Sequence, residues 1–116
     1  VDDNKLVRDS LSALLSARTS ARVESFESGR DFLDAIEPSA ACLVLDLRMP
    51  VVSGWEVLSY MEERNIAIPT ILISGHLGEY PQGHLMPVFV RRFFQKPFPT
   101  EEFTRSVLDL LPALDG

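Results

Sequence analysis

The chain has 116 residues, 46% of them hydrophobic and 24% charged, with a formal net charge of -6. That length supports one domain around a single core. An acidic chain is poorly equipped to hold nucleic acid, where affinity rests on Lys and Arg against phosphate, so direct nucleic-acid binding by this domain is not expected. The single Cys42 excludes an internal disulfide and a cysteine-based zinc site, and its place in an apolar run reads as a small buried side chain. No apolar run is long enough to span a bilayer. The chain opens with acids instead of a basic and then apolar leader, so the expectation is a cytoplasmic protein with no membrane contact.

In chain order, strands and helices alternate. Leu6, Val7, Leu11, Leu14 and Leu15 recur at helical spacing after Asn4 and predict a first amphipathic helix. Arg22 to Phe26 is short, mixed and extended in character, which suits an edge strand. Ser28 opens a second helix carrying Phe32, Leu33 and Ile36, stopped by Pro38. Ala41 to Leu45 is apolar throughout, as a central parallel strand is. A loop leads to Gly54 and a third helix with Trp55, Leu58 and Met61, ending near Asn65. Trp55 reads as packing or a partner contact. Pro69 to Ser74 is another apolar strand, and a last strand falls within Val88 to Gln95. Thr100 is expected to cap a final helix with Phe103, Val107, Leu110 and Leu111 as its stripe.

Alternation of this kind implies a parallel sheet covered by helices on both faces. Between the fourth and fifth strands a crossover helix is required. Residues 76–87 hold two glycines and two prolines, and each interior Gly costs about 1 kcal/mol and each interior Pro about 3 relative to Ala. One short turn of helix at most, or an irregular connection, is expected there. His84 reads as a loop histidine.

Asp46 ends the run Ala41 to Leu45, where an open α/β sheet places its chemistry. Asp2 and Asp3 follow the apolar Val1, and Lys96 follows Phe93-Phe94-Gln95. If those segments are neighbouring parallel strands, three carboxylates and one ammonium meet at one sheet edge. That set suits a divalent cation and a phosphoryl group. Magnesium, hard and oxygen-seeking, is satisfied by one or two carboxylates plus phosphate and water. A carboxylate is a usable nucleophile toward phosphorus, and phosphoryl transfer asks a protein mainly for positioning and charge stabilisation. Taken singly, each residue also has a plain reading: a capped terminus for Asp2 and Asp3, a turn acid for Asp46, a surface lysine for Lys96.

Asp2-Asp3, the stretch Leu45-Asp46-Leu47-Arg48-Met49-Pro50 with Gly54 beyond, Ser74, and Lys96-Pro97-Phe98 together resemble the receiver domain of bacterial response regulators, the CheY-like family. The resemblance covers nearly the whole chain, residues 1–116 as one receiver domain, and is nearest in flavour to receivers that precede helix-turn-helix output domains. It implies a flavodoxin-like five-stranded parallel sheet of order 2-1-3-4-5, with further apolar residues ahead of Val1 and a cis peptide before Pro97. It implies Asp46 as phosphoacceptor and Lys96 and Ser74 as the groups that meet the phosphoryl oxygens. The metal, magnesium with manganese as a substitute, would be held by Asp3, Asp46 and the backbone carbonyl of Arg48, with Asp2 acting through water. Ser74 and Phe93 match the switch positions, although Phe93 also reads as half-exposed core. Implied partners are a sensor histidine kinase, an output domain or effector protein with a transcriptional role, and a second copy of the chain after phosphorylation. Such a domain assists its own phosphorylation and dephosphorylation without being an enzyme in the turnover sense.

Arg48 and His76 stand two residues beyond Asp46 and Ser74 and should flank the mouth of the acidic pocket, where they would set the phosphoryl lifetime. Two other readings compete. A haloacid-dehalogenase phosphatase would need a second acid where Arg48 stands. A pseudo-receiver would signal as a protein-interaction module without phosphate; the intact acids and Lys96 weigh against it, and the irregular stretch 76–87 keeps it open.

Overall fold

The structure, a computed structural model, describes residues 1–75 and 86–111. Its elements run α1 (Lys5–Arg18), α2 (Gly29–Asp34), β1 (Leu43–Asp46), α3 (Gly54–Glu63), β2 (Thr70–Ser74), β3 (Val90–Gln95) and α4 (Thr100–Leu110). The three strands pair in parallel in the order β1-β2-β3, which are the third, fourth and fifth strands expected from sequence. β2 is buried along its whole length, as the central member of a sheet covered on both faces must be. The stretch expected to be irregular, 76–87, lies mostly outside the described residues.

Strand alternation divides the apolar side chains between two cores. Leu43, Leu45 and Leu72 face α2 and α3 and pack with Phe32, Val57, Leu58 and Met61. Ile71, Ile73 and Phe94 face α1 and α4 and pack with Leu15, Phe103 and Val107. Phe94, Phe98 and Phe103 form a ring cluster with centroids 5.0–5.8 Å apart, the spacing that offset and edge-to-face pairs favour.

The helix boundaries follow local chemistry. Asn4 caps α1 by accepting from the amides of Leu6 and Val7, and Ser28 caps α2 through the Asp31 amide. Ser53 and Glu56 form a reciprocal capping box at the start of α3. At its other end, Asn65 adopts φ 56°, while the amides of Asn65 and Ile66 return to the carbonyls of Glu62 and Met61. This is the left-handed stop that Asn tolerates.

Three expectations are corrected. Thr100 is not the cap of the last helix: Pro99 holds that position with no side-chain bond, and Thr100 is already helical. The fixed φ of proline suits a helix entrance and displaces the hydroxyl cap by one residue. α2 stops at Asp34, short of Pro38. Arg22–Phe26 runs without forming a ladder strand. Val1 and Asp2 lie between it and β1, and the Asp2 amide donates to the Phe26 carbonyl at 3.2 Å. On the other side, the Val1 nitrogen donates to the Val44 carbonyl (2.6 Å) and the Asp46 amide donates to the Val1 carbonyl (3.0 Å). Val1 and Asp2 therefore lie beside β1 on the side away from β2, as the expected strand order requires.

Candidate functional site

The sheet's C-terminal edge gathers the acids. Hydrogen bonds from both sides lock Val1-Asp2 in register with β1, which brings Asp2 beside Asp46. Carboxylate oxygens of Asp2, Asp3 and Asp46 lie within 4.8 Å of one another. Asp2 and Asp46 are buried, at 2% and 4% exposure, while Asp3 is exposed. Lys96, one residue past β3, donates to Asp2 Oδ2 at 2.7 Å and to Asp46 Oδ2 at 3.3 Å. Its amide also donates to the Ser74 carbonyl at 2.6 Å, which ties the end of β3 to the end of β2. The peptide from Lys96 to Pro97 is cis, as the family resemblance implied.

Each remaining carboxylate oxygen of the buried pair has a backbone donor. The Arg48 amide donates to Asp46 Oδ1 at 3.1 Å, and the Asn4 amide to Asp2 Oδ1 at 2.9 Å. Both bonds join residues two apart, the local turn that Asp favours. Behind Asp46, the start of α3 presses onto the strand end. The Gly54 amide donates to the Leu47 carbonyl, and a Cβ on Gly54 would lie 2.5 Å from the Asp46 carbonyl oxygen. Only glycine permits this approach.

The charges are incompletely balanced, with three carboxylates against one contacting ammonium. Burial, and next the Asp2 charge, push the Asp46 carboxyl above its ordinary pKa of 3.8, although the Arg48 amide and Lys96 pull the other way. For Lys96, burial opposes the charged form, but the bonds and charges of Asp2 and Asp46 outweigh it and raise the pKa.

The donor set fits magnesium. Three carboxylates supply oxygens that lie within 4.8 Å of one another, and hard oxygen donors are what magnesium takes. Asp3 and Asp46 would hold the ion directly and Asp2 through water, and the ion would supply positive charge to the acid cluster.

Ser74 closes β2 at this edge and is fully buried. Arg48 is exposed beside Asp46. Phe93 pairs with Leu72 inside β3 and is half-buried against the core on the α2–α3 side. It lies apart from the acid cluster in the body of the sheet. His76 falls outside the described residues. Two contributors escaped the sequence reading. Asn4 supplies an amide to Asp2 in addition to capping α1. Arg8 donates from its guanidinium to the Asp2 carbonyl at 3.0 Å. A cation one turn into the helix that follows an acid pair was the available signal for Arg8.

Comparison with known proteins places the chain in a family. Residues 1–108 match the family model of the response regulator receiver domain. The transcriptional regulatory protein TdiR of Thauera aromatica is 37% identical over 92% of this chain and 47% of its own. The response regulator protein TodT of Pseudomonas putida is 38% identical over 97% of this chain and 51% of its own. The chain thus spans about half the length of these relatives. Among solved structures, the response regulator StyR superposes with a TM-score of 0.82 at 32% identity, over 96% of this chain and 56% of that one. The structure titled FixJ-N gives 0.74 at 34%, over 98% and 94%. The flavodoxin-like fold, the acid cluster at the sheet edge and the match over residues 1–108 agree: the chain belongs to the response regulator receiver domain family.

Proposed function

We propose that this receiver accepts a phosphoryl group on Asp46 from the phosphohistidine of a sensor kinase, with magnesium bound, and that the change passes to an output domain or effector. The observation that carries the proposal is the meeting of Asp2, Asp3 and Asp46 oxygens within 4.8 Å under a lysine bonded to two of them. An Asp46 carboxylate oxygen attacks phosphorus, the phosphorus–nitrogen bond breaks, and the imidazole, already protonated at its other ring nitrogen, leaves neutral with the electron pair of the broken bond. Asp3, Asp46 and the Arg48 carbonyl are the proposed metal ligands, with Asp2 bridged through water. Both buried acids accept at both oxygens, but Lys96 holds Asp2 at 2.7 Å and Asp46 at 3.3 Å, which leaves Asp46 the freer of the two to meet the ion and suits Asp2 to the outer role. Lys96 holds Asp46 ready and would then follow the phosphoryl oxygens as a compact point charge. Ser74, buried at the end of β2, is placed to offer its hydroxyl to the same oxygens, and Phe93 is the proposed partner in the switch.

The relatives called transcriptional regulators support an output in transcription, with phosphorylation-dependent pairing of two copies as its mechanical form. The exposed Arg48 is proposed to limit water at the acyl phosphate, which dephosphorylation rates of Arg48→Ala would test. The central experiment is incubation with acetyl phosphate and Mg²⁺ followed by intact-mass analysis. One phosphate adduct on the wild type and none on Asp46→Asn is expected. No wild-type adduct, or an equal adduct on the variant, would overturn the assignment.

A further inference from the structure

We propose that Arg8 is a positioning residue for the metal-binding acid Asp3, acting through the backbone of Asp2; this rests on the magnesium site proposed above. Residue Asp2 is held at every polar group. Its amide donates to Phe26 (3.2 Å), its carboxylate accepts from Asn4 and Lys96, and its carbonyl accepts from the Arg8 guanidinium (3.0 Å). Asp3 is the opposite case: it is exposed, and among the described residues its carboxylate has no hydrogen-bond or ion-pair partner. What aims Asp3 is therefore the peptide it hangs from. A peptide is planar, so fixing the direction of the Asp2 carbonyl fixes the plane from which Asp3 departs.

Arg8 is well placed to impose that direction. Its own amide donates to the Asn4 carbonyl (3.0 Å) in the first turn of α1, so its stem is anchored to the helix. Its guanidinium then reaches back six residues to the turn ahead of the same helix. The helix that follows the acid pair thereby grips the pair from behind, and Asp3 needs no side-chain bond that a metal would have to displace.

Charge and position predict opposite signs. Removing a cation beside a dication site should, by charge alone, tighten metal binding. Losing the aim of Asp3 should weaken it. The test is calorimetric titration of the wild type, Arg8→Ala and Arg8→Lys with MgCl₂ alone, alongside metal-free melting temperatures. Outer-shell groups of metal sites typically carry 10–100-fold in affinity, and the expected loss for Arg8→Ala is about tenfold, the low end of that range. Arg8→Lys, which keeps the charge and a donor, should recover part of it. Should Arg8→Ala not fold, Arg8→Lys carries the test, because charge alone predicts wild-type affinity and positioning predicts a loss. Affinity equal to or tighter than wild type in the variants, or a lowered melting temperature with unchanged affinity, would overturn the proposal. A wild type that binds no Mg²⁺ would instead overturn the metal site itself, and this inference with it.

Discussion

Lys96 bonds to Asp2 at 2.7 Å across 94 positions of chain, and Asp2 is the more closely held of its two acid partners. This lysine is a counter-ion to the acids, standing in the neighbourhood where a dication is proposed to bind. It offsets the acids, and it also competes with any second cation.

Replacing Lys96 should therefore separate stability from metal affinity. Breaking a buried pair by removing one partner costs about 3–5 kcal/mol. Lys96 retains 24% side-chain exposure, so water recovers part of the loss, and about 1–3 kcal/mol is expected for Lys96→Ala without metal. Mg²⁺ should bind this variant more tightly, by roughly three- to tenfold, because one unit of repulsion a few ångströms away is gone. Thermal melts and calorimetric titration check both. Weaker Mg²⁺ binding in Lys96→Ala would show that the lysine organises the acids more than it competes.

The raised pKa of Asp46 gives a pH signature. Burial, then Asp2, raises the native pKa above the ordinary 3.8, so the fold favours the protonated carboxyl. By linkage, the stability contributed by the protonated form is fully present below the unfolded value of 3.8 and is lost as pH rises through the raised native value. At neutral pH the ionised Asp46 is a net burden on the metal-free fold. Asp46→Asn should melt a few degrees higher than wild type at pH 7 without metal. The gap should narrow as pH falls toward 4, and saturating Mg²⁺ at pH 7 should narrow it from the other side. Melting curves at pH 4 to 7 decide this. An equal or lower melting temperature for the variant at pH 7 would refute it.

Gly54 is a steric requirement of the site. A Cβ there would meet the Asp46 carbonyl oxygen at 2.5 Å and the Leu47 Cα at 2.7 Å, both backbone atoms with no rotamer to yield. Gly54→Ala should cost about 2–4 kcal/mol by forcing α3 away from the strand end, even though Ala is the better helix former by about 1 kcal/mol. Chemical denaturation measures the loss. A variant as stable as wild type would mean that the α3 entrance can slide without strain.

Much of the site was legible because its residues sit next to strong local signals. Asp46 ends an apolar run, and Lys96 precedes a proline. Asp2 and Asp3 precede a capped helix. Local signals also placed the start of α1, and both ends of α3 and β2, within a residue or two. They failed where two local rules competed, as at Thr100, where Pro99 takes the cap. They failed again at Arg22–Phe26, whose ladder depends on neighbours and not on its own residues.

The alternation of elements, the two-faced core and the identity of the acids and the lysine are readable from the linear chain, since periodicity and strand ends are set by residues close along it. Folding alone sets Lys96 nearer to Asp2 than to Asp46, Gly54 against the Asp46 carbonyl, and Arg8 on the peptide leading to Asp3. Those relations join groups on separate elements, and the way helices settle on a sheet to bury their apolar faces fixes the distances between them.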